Sequence, residues 1–101
     1  MIEDKRLAAG SLADMNTTLY EVPEGKKTFV KAITICNTAG SPVTFTIKFD
    51  GWEVIKDHII TANNTLTVPF LDQILHSEEK IEGEASGTDI INYYISGKEV
   101  T

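Results

Sequence analysis

The cleanest alternation of apolar and polar positions runs from Val43 to Phe49. Val43, Phe45, Ile47 and Phe49 share one face, and Thr44, Thr46 and Lys48 share the other, the period of a strand with one buried side. Asp50-Gly51 follows directly, a dipeptide that favours the two-residue type I′ hairpin turn, so Trp52–Ile55 is the returning strand. A longer stretch, Thr17–Asn37, holds two extended runs, Thr18–Val22 and Thr28–Cys36, on either side of Pro23-Glu24-Gly25-Lys26. Proline presets φ near the start of that turn, and Gly25 supplies the positive φ that a side chain would resist. Threonine, valine, isoleucine, tyrosine and phenylalanine dominate both runs, and nothing in them resembles a helix cap.

The rest of the chain continues in short extended pieces. Residues 1–6 are polar and read as a flexible N-terminal arm, followed by a single domain over 7–101. Leu7–Leu12 is a first short strand, Ala13–Asn16 a connector, and Asn37–Pro42 a run of turn residues. Ile59-Ile60 begins another strand that ends at Ala62-Asn63-Asn64. Thr65–Leu71 puts Leu66, Val68 and Phe70 on one face, with Pro69 marking an edge strand or a bulge. Leu71–His76 is the segment where a short helix or 3₁₀ turn fits. Lys80–Ser86 alternates again, Gly87-Thr88-Asp89 turns, and Ile90–Ser96 is the last long strand, before a closing strand or tail over Gly97–Thr101. In Ile90–Ser96 both faces carry apolar residues: Ile91, Tyr93 and Ile95 on one, Ile90 and Tyr94 on the other. Seven to nine short strands with frequent turn signals predict an all-β fold, an antiparallel β-sandwich of jelly-roll-like form. The Cys…Trp…Cys spacing of immunoglobulin domains is absent, which favours the jelly roll. The expected core is Phe29 or Val30, Ile33, Ile35, Phe45, Ile47, Leu66, Val68, Ile91 and Tyr93.

Composition narrows this picture. The 101 residues suffice for one core, and a net charge of −6 argues against nucleic-acid and anionic-membrane partners. A single cysteine leaves stability to packing or oligomerisation. The start of the chain has no signal-peptide pattern and no apolar run long enough to cross a bilayer, so a soluble protein made in the cytoplasm is expected. His58, His76 and Cys36 lie far apart in sequence and match no zinc or nucleophile spacing. Glu78, Glu79, Glu82 and Glu84 form the densest charge run, without the loop pattern of a calcium site. No catalytic, cofactor-binding or metal-binding residue is therefore expected. Trp52, beside the hairpin turn, stands out as a contact residue, since exposed aromatics anchor partners or stack on sugars.

Leu19-Tyr20, Val22-Pro23, Gly25-Lys26, Val30, Ile33, Ile35 and Asn37-Thr38 resemble the opening of small β-sandwich virion proteins encoded by tailed bacteriophages. Val43–Phe49, Ala62–Val68 and the Ile-Ser-Gly-Lys-Glu-Val ending echo them more faintly, while Asp50–His58 departs by being more charged. The matching positions have structural roles and transfer no binding residue. The resemblance implies a virion structural protein, foremost a capsid decoration or cement protein that stabilises the head shell. Its alternatives are a neck- or tail-associated accessory protein and a receptor- or carbohydrate-binding module on the particle. The implied partners are further copies of the chain, as a homotrimer, and the major capsid protein or another virion protein. Ile2, Lys5, Arg6, Trp52 and Tyr94 are the expected partner contacts.

Overall fold

A computed structural model describes residues 2–68, 73–87 and 90–101, with side chains from residue 4 onward. Among the described residues there are nine strands: β1 (Ile2–Ser11), β2 (Thr17–Glu21), β3 (Lys27–Asn37), β4 (Val43–Phe49), β5 (Trp52–Ile60), β6 (Thr65–Val68), β7 (Gln73–Leu75), β8 (Lys80–Ala85) and β9 (Ile91–Val100). They form two sheets, one ordered β1-β9-β3-β6 with β7 also on β3, the other ordered β2-β8-β4-β5. Every pairing is antiparallel. The pairs are nested: β4 with β5, β3 with β6 and β7, β2 with β8, and β1 with β9. A ribbon folded at the β4–β5 hairpin and rolled into two sheets has this order, and it is the jelly roll. An immunoglobulin-like order is excluded.

The β4–β5 hairpin turns at Asp50 and Gly51, with φ of 52° and 84°, the left-handed pair that a type I′ turn requires. Phe45, Ile47, Ile33, Ile35, Val30, Ile81, Ile91 and Ile95 fill the space between the sheets. Leu66, Val68, Phe29 and Tyr93, also expected in the core, are half-buried. Val30 and Ile33 both point inward although they lie an odd number of residues apart. A bulge between Val30 and Ala32 makes this possible, because one extra residue reverses which face the following side chains occupy.

Four expectations are corrected. Residues 2–6 of the expected arm are instead the first half of β1, pairing with Val100–Ser96 of β9. Trp52–Ile55 and Ile59-Ile60 are one strand, bent at a bulge where Asp57 takes φ 47°. The buried Thr46 hydroxyl accepts a hydrogen bond from the Asp57 backbone N–H at 3.0 Å, which holds the bend. Within Leu71–His76, Gln73–Leu75 is strand β7, held by pairing with Thr28–Val30 rather than by local propensity. Finally, Gly97 does not interrupt β9, which runs on to Val100. Pro69 and Phe70, and Thr88 and Asp89 of the Gly87-Thr88-Asp89 turn, lie outside the described residues.

Candidate interaction surface

The two sheets leave one side of the sandwich open. β5 is the edge of one sheet, and β6 and β7 form the edge of the other. A cleft of about 350 Å³ lies between them, with Ile33 and Phe49 at its base and Val54 and Val68 on its walls. A second cleft of about 310 Å³ adjoins it around Asp50, Trp52, His76 and Glu79, and shares Phe49, Val54 and Gln73 with the first. Trp52 is 77% exposed because the I′ turn ends directly before it and β5 has no outer neighbour strand. Val54, Ile59 and Ile74 are also exposed large apolar residues on β5 and β7. A long edge strand is a template for unwanted pairing, and the bulge at Asp57 blunts this one.

Beside Trp52, the Asp50 carboxyl shares a hydrogen bond with Glu79. That contact, with desolvation and the charges of Glu79 and Glu82, raises the Asp50 pKa above its ordinary value. Glu79 moves the other way, chiefly because the His76 backbone N–H donates to its Oε1 at 2.6 Å.

The expected contact residues fall into different settings. Tyr94 is 49% exposed on the outer face of β9, and the Arg6 guanidinium lies 5.9 Å from its ring centroid, a cation–π contact. Trp52 is on the other sheet. Ile2 belongs to β1 by its backbone, and its side chain lies outside the described residues. The Lys5 ammonium, on β1, pairs at 3.3 Å with Glu99 of the same chain. Ile90 is half-buried and packs on the core, so the second apolar face of the last strand reduces to Tyr94.

Glu99 heads a buried polar cluster that sequence reasoning missed. It is 4% exposed, accepts a short hydrogen bond from the Tyr20 hydroxyl, and lies 3.6 Å from the Lys26 ammonium. With its own proton directed to Glu99, Tyr20 accepts from the Thr28 hydroxyl at 2.9 Å. Burial alone would raise the Glu99 pKa, but the hydrogen bonds from Tyr20 and Lys5 and the charges of Lys5 and Lys26 outweigh it and hold it low. Desolvation and the bond to Glu99 push Tyr20 up to about 12. The cluster ties β1, β2, β3 and β9 together at one end of the sandwich. A lowered carboxylate contributes stability that is complete above its ordinary pKa and lost as pH falls through the lowered one. A raised phenol contributes stability that is complete below 10 and lost as pH rises toward about 12. The comparison with Tyr20→Phe isolates the phenol. The melting temperature of the wild-type protein should fall more steeply across that window than that of Tyr20→Phe. Parallel curves would show that Tyr20 is not coupled to the cluster.

His58 meets the Phe45 ring edge-on at 5.6 Å, Cys36 is half-buried in β3, and His76 sits between β7 and β8. The structure does not bring these three together. Among the described residues no three histidine, cysteine or acidic side chains are placed to hold a metal ion.

No family model and no curated protein matches the chain. Among solved structures, it is similar to a chain in the crystal structure of the T13 IBDV viral particle. The likeness has a TM-score of 0.54 at 14% identity and covers 98% of this chain. The protein spans 30% of the length of that chain. At this identity the likeness concerns the fold: both contain the same antiparallel β-sandwich architecture.

Proposed function

We propose that the protein is a structural component of a virus particle, and specifically a decoration protein on the head shell of a tailed bacteriophage. The observation that carries this reading is the jelly-roll strand order, which, over 98% of this chain, is similar to part of a chain from a viral particle. The resemblance of Leu19–Thr38 to phage virion proteins supplies the tailed-phage context. In this reading the role is non-catalytic, in keeping with the wide separation of His58, His76 and Cys36 among the described residues.

The contact face in this reading is the outer surface of β1 and β9, where Arg6 lies over the exposed Tyr94. Arginine and tyrosine are enriched among residues that dominate interface energy. The partner there is the shell or a further copy of the chain in a trimer. Purified particles should carry the protein in many copies. Particles lacking it should assemble yet lose integrity sooner on heating. Tyr94→Ala should weaken attachment by about 2 kcal/mol, the scale of an interface hot spot, with the monomer fold unchanged. Copy number by quantitative mass spectrometry of particles, with and without the substitution, checks this. A monomer present in a few copies would overturn the decoration role and favour a neck or tail position.

A further inference from the structure

The chemistry around Trp52 is not used by the shell-binding reading, and from it we infer a second function: the cleft between Trp52, Asp50, Glu79 and His76 binds a neutral pyranose sugar. A pyranose ring offers an apolar C–H face and, around its rim, hydroxyl pairs that both donate and accept hydrogen bonds. The cleft presents the complement of both. The Trp52 indole is the most exposed large apolar side chain among the described residues, and it stands directly after a type I′ turn. A bare indole flanked by polar groups is suited to stack on a sugar face, where it buries area without giving up its ring N–H. Asp50 and Glu79 line the same cleft and are both accessible, and together they have more acceptor oxygens than their mutual hydrogen bond consumes. His76 adds an imidazole at the rim. The volume, about 310 Å³, suits a small ligand of one or two rings rather than a protein side.

Charge selects among sugars. Glu79 is an anion with Asp50 against it, Glu82 contributes further negative field, and the protein as a whole carries −6. Phosphorylated, sulfated or uronic-acid sugars are repelled by this site, and uncharged hexoses and N-acetylhexosamines are not. The same pair separates binding from hydrolysis. The two carboxyl groups touch through one hydrogen bond, whereas glycoside hydrolysis needs them on the order of 5 Å apart or more, with the bond to be broken between them. The site holds a sugar and does not cleave it.

Trp52 is the chain's single tryptophan, so its fluorescence reports this cleft alone. The intact protein is titrated with glucose, galactose, mannose, N-acetylglucosamine and their disaccharides, each up to ~50 mM, a range that captures the millimolar affinities of small ligands. A saturable blue shift with at least one sugar is expected, and uronic acids and sugar phosphates should give none. Saturation-transfer NMR with that sugar then tests the residues: Trp52→Ala should abolish transfer, and Asp50→Asn with Glu79→Gln should weaken binding at least tenfold. Tyr94→Ala should leave binding unchanged, which separates this site from the proposed shell contact. No saturable shift with any neutral sugar would overturn the inference, as would undiminished binding by Trp52→Ala. Trp52 emission that is already blue-shifted and turns red on dilution would overturn it too, by assigning this face to a protein neighbour.

Discussion

Gly97→Ala should destabilise the protein by about 3 kcal/mol or more, at the upper end of what one added methyl does in a packed interior. Gly97 lies in the middle of β9, between Lys5 of β1 and Val30 of β3. Both neighbouring strands are irregular at this level: β1 slips register between Arg6 and Ala8, and β3 between Val30 and Ala32. The backbone of β3 is thereby pressed onto the glycine. A Cβ on residue 97 would sit 2.2 Å from the Phe29 carbonyl oxygen and 2.9 Å from a Leu7 methyl. The leucine could turn aside, but the carbonyl belongs to the strand backbone and can move only with β3. Relief therefore means losing part of the β3–β9 ladder and the Val30 packing below it. Gly40→Ala is the control, since nothing lies within 4 Å of its Cβ position. That change should stay within ~0.5 kcal/mol. Urea unfolding midpoints of the two variants check the pair, and a wild-type midpoint for Gly97→Ala would show that the strands are not in contact there.

The same row of residues shows where the sequence was legible and where it was not. Val43–Phe49 and its Asp50-Gly51 turn could be read directly, because alternation and turn chemistry are local and β4 is buried on a single face. Within β3 the choice between Phe29 and Val30 could not be made, because a bulge at Lys31 changes the facing of the strand and depends on β9. Lys56-Asp57-His58 looked like a break between strands for a similar reason, since the bulge spoils the alternation that would have revealed one long β5. Gln73–Leu75 is too short to declare itself and is a strand only because β3 pairs with it. Residues 2–6 looked like an arm because their partners, Ser96–Val100, lie at the far end of the chain. The Glu99 cluster was hidden for that reason as well: Lys5, Tyr20, Lys26 and Thr28 are spread along the chain, and only the nested pairing gathers them. Trp52 could be picked out because its exposure follows from its place after a turn. Its acidic neighbours could not, since Glu79 reaches Asp50 across the sandwich end.

Asn37→Asp should destabilise the protein by about 3–5 kcal/mol at neutral pH, although the two side chains have nearly the same shape. Asn37 is fully buried at the end of β3. Its amide nitrogen donates toward three carbonyl oxygens, those of Ser41 and Ile60 at 3.0 Å and Thr61 at 3.2 Å. Its Oδ1 accepts from the Ala39 N–H at 2.9 Å, so one side chain clamps the β3–β4 loop to the end of β5. An aspartate keeps the acceptor and replaces the donor with a second oxygen. Ionised, it sets a buried negative charge against three carbonyl dipoles. Protonated, it has a single hydrogen for the three. The folded state therefore raises the pKa of the new carboxyl. By linkage, its penalty is complete above that raised value and shrinks as pH falls toward the unfolded value near ~4. Asn37→Ala removes donor and acceptor together and has no such titration. Its deficit relative to wild type should stay constant with pH, while that of Asn37→Asp narrows on acidification. Differences in melting temperature from wild type, measured for both variants from neutral pH downward, separate the two behaviours. An Asn37→Asp protein as stable as wild type at neutral pH would mean that the three carbonyls do not depend on this amide.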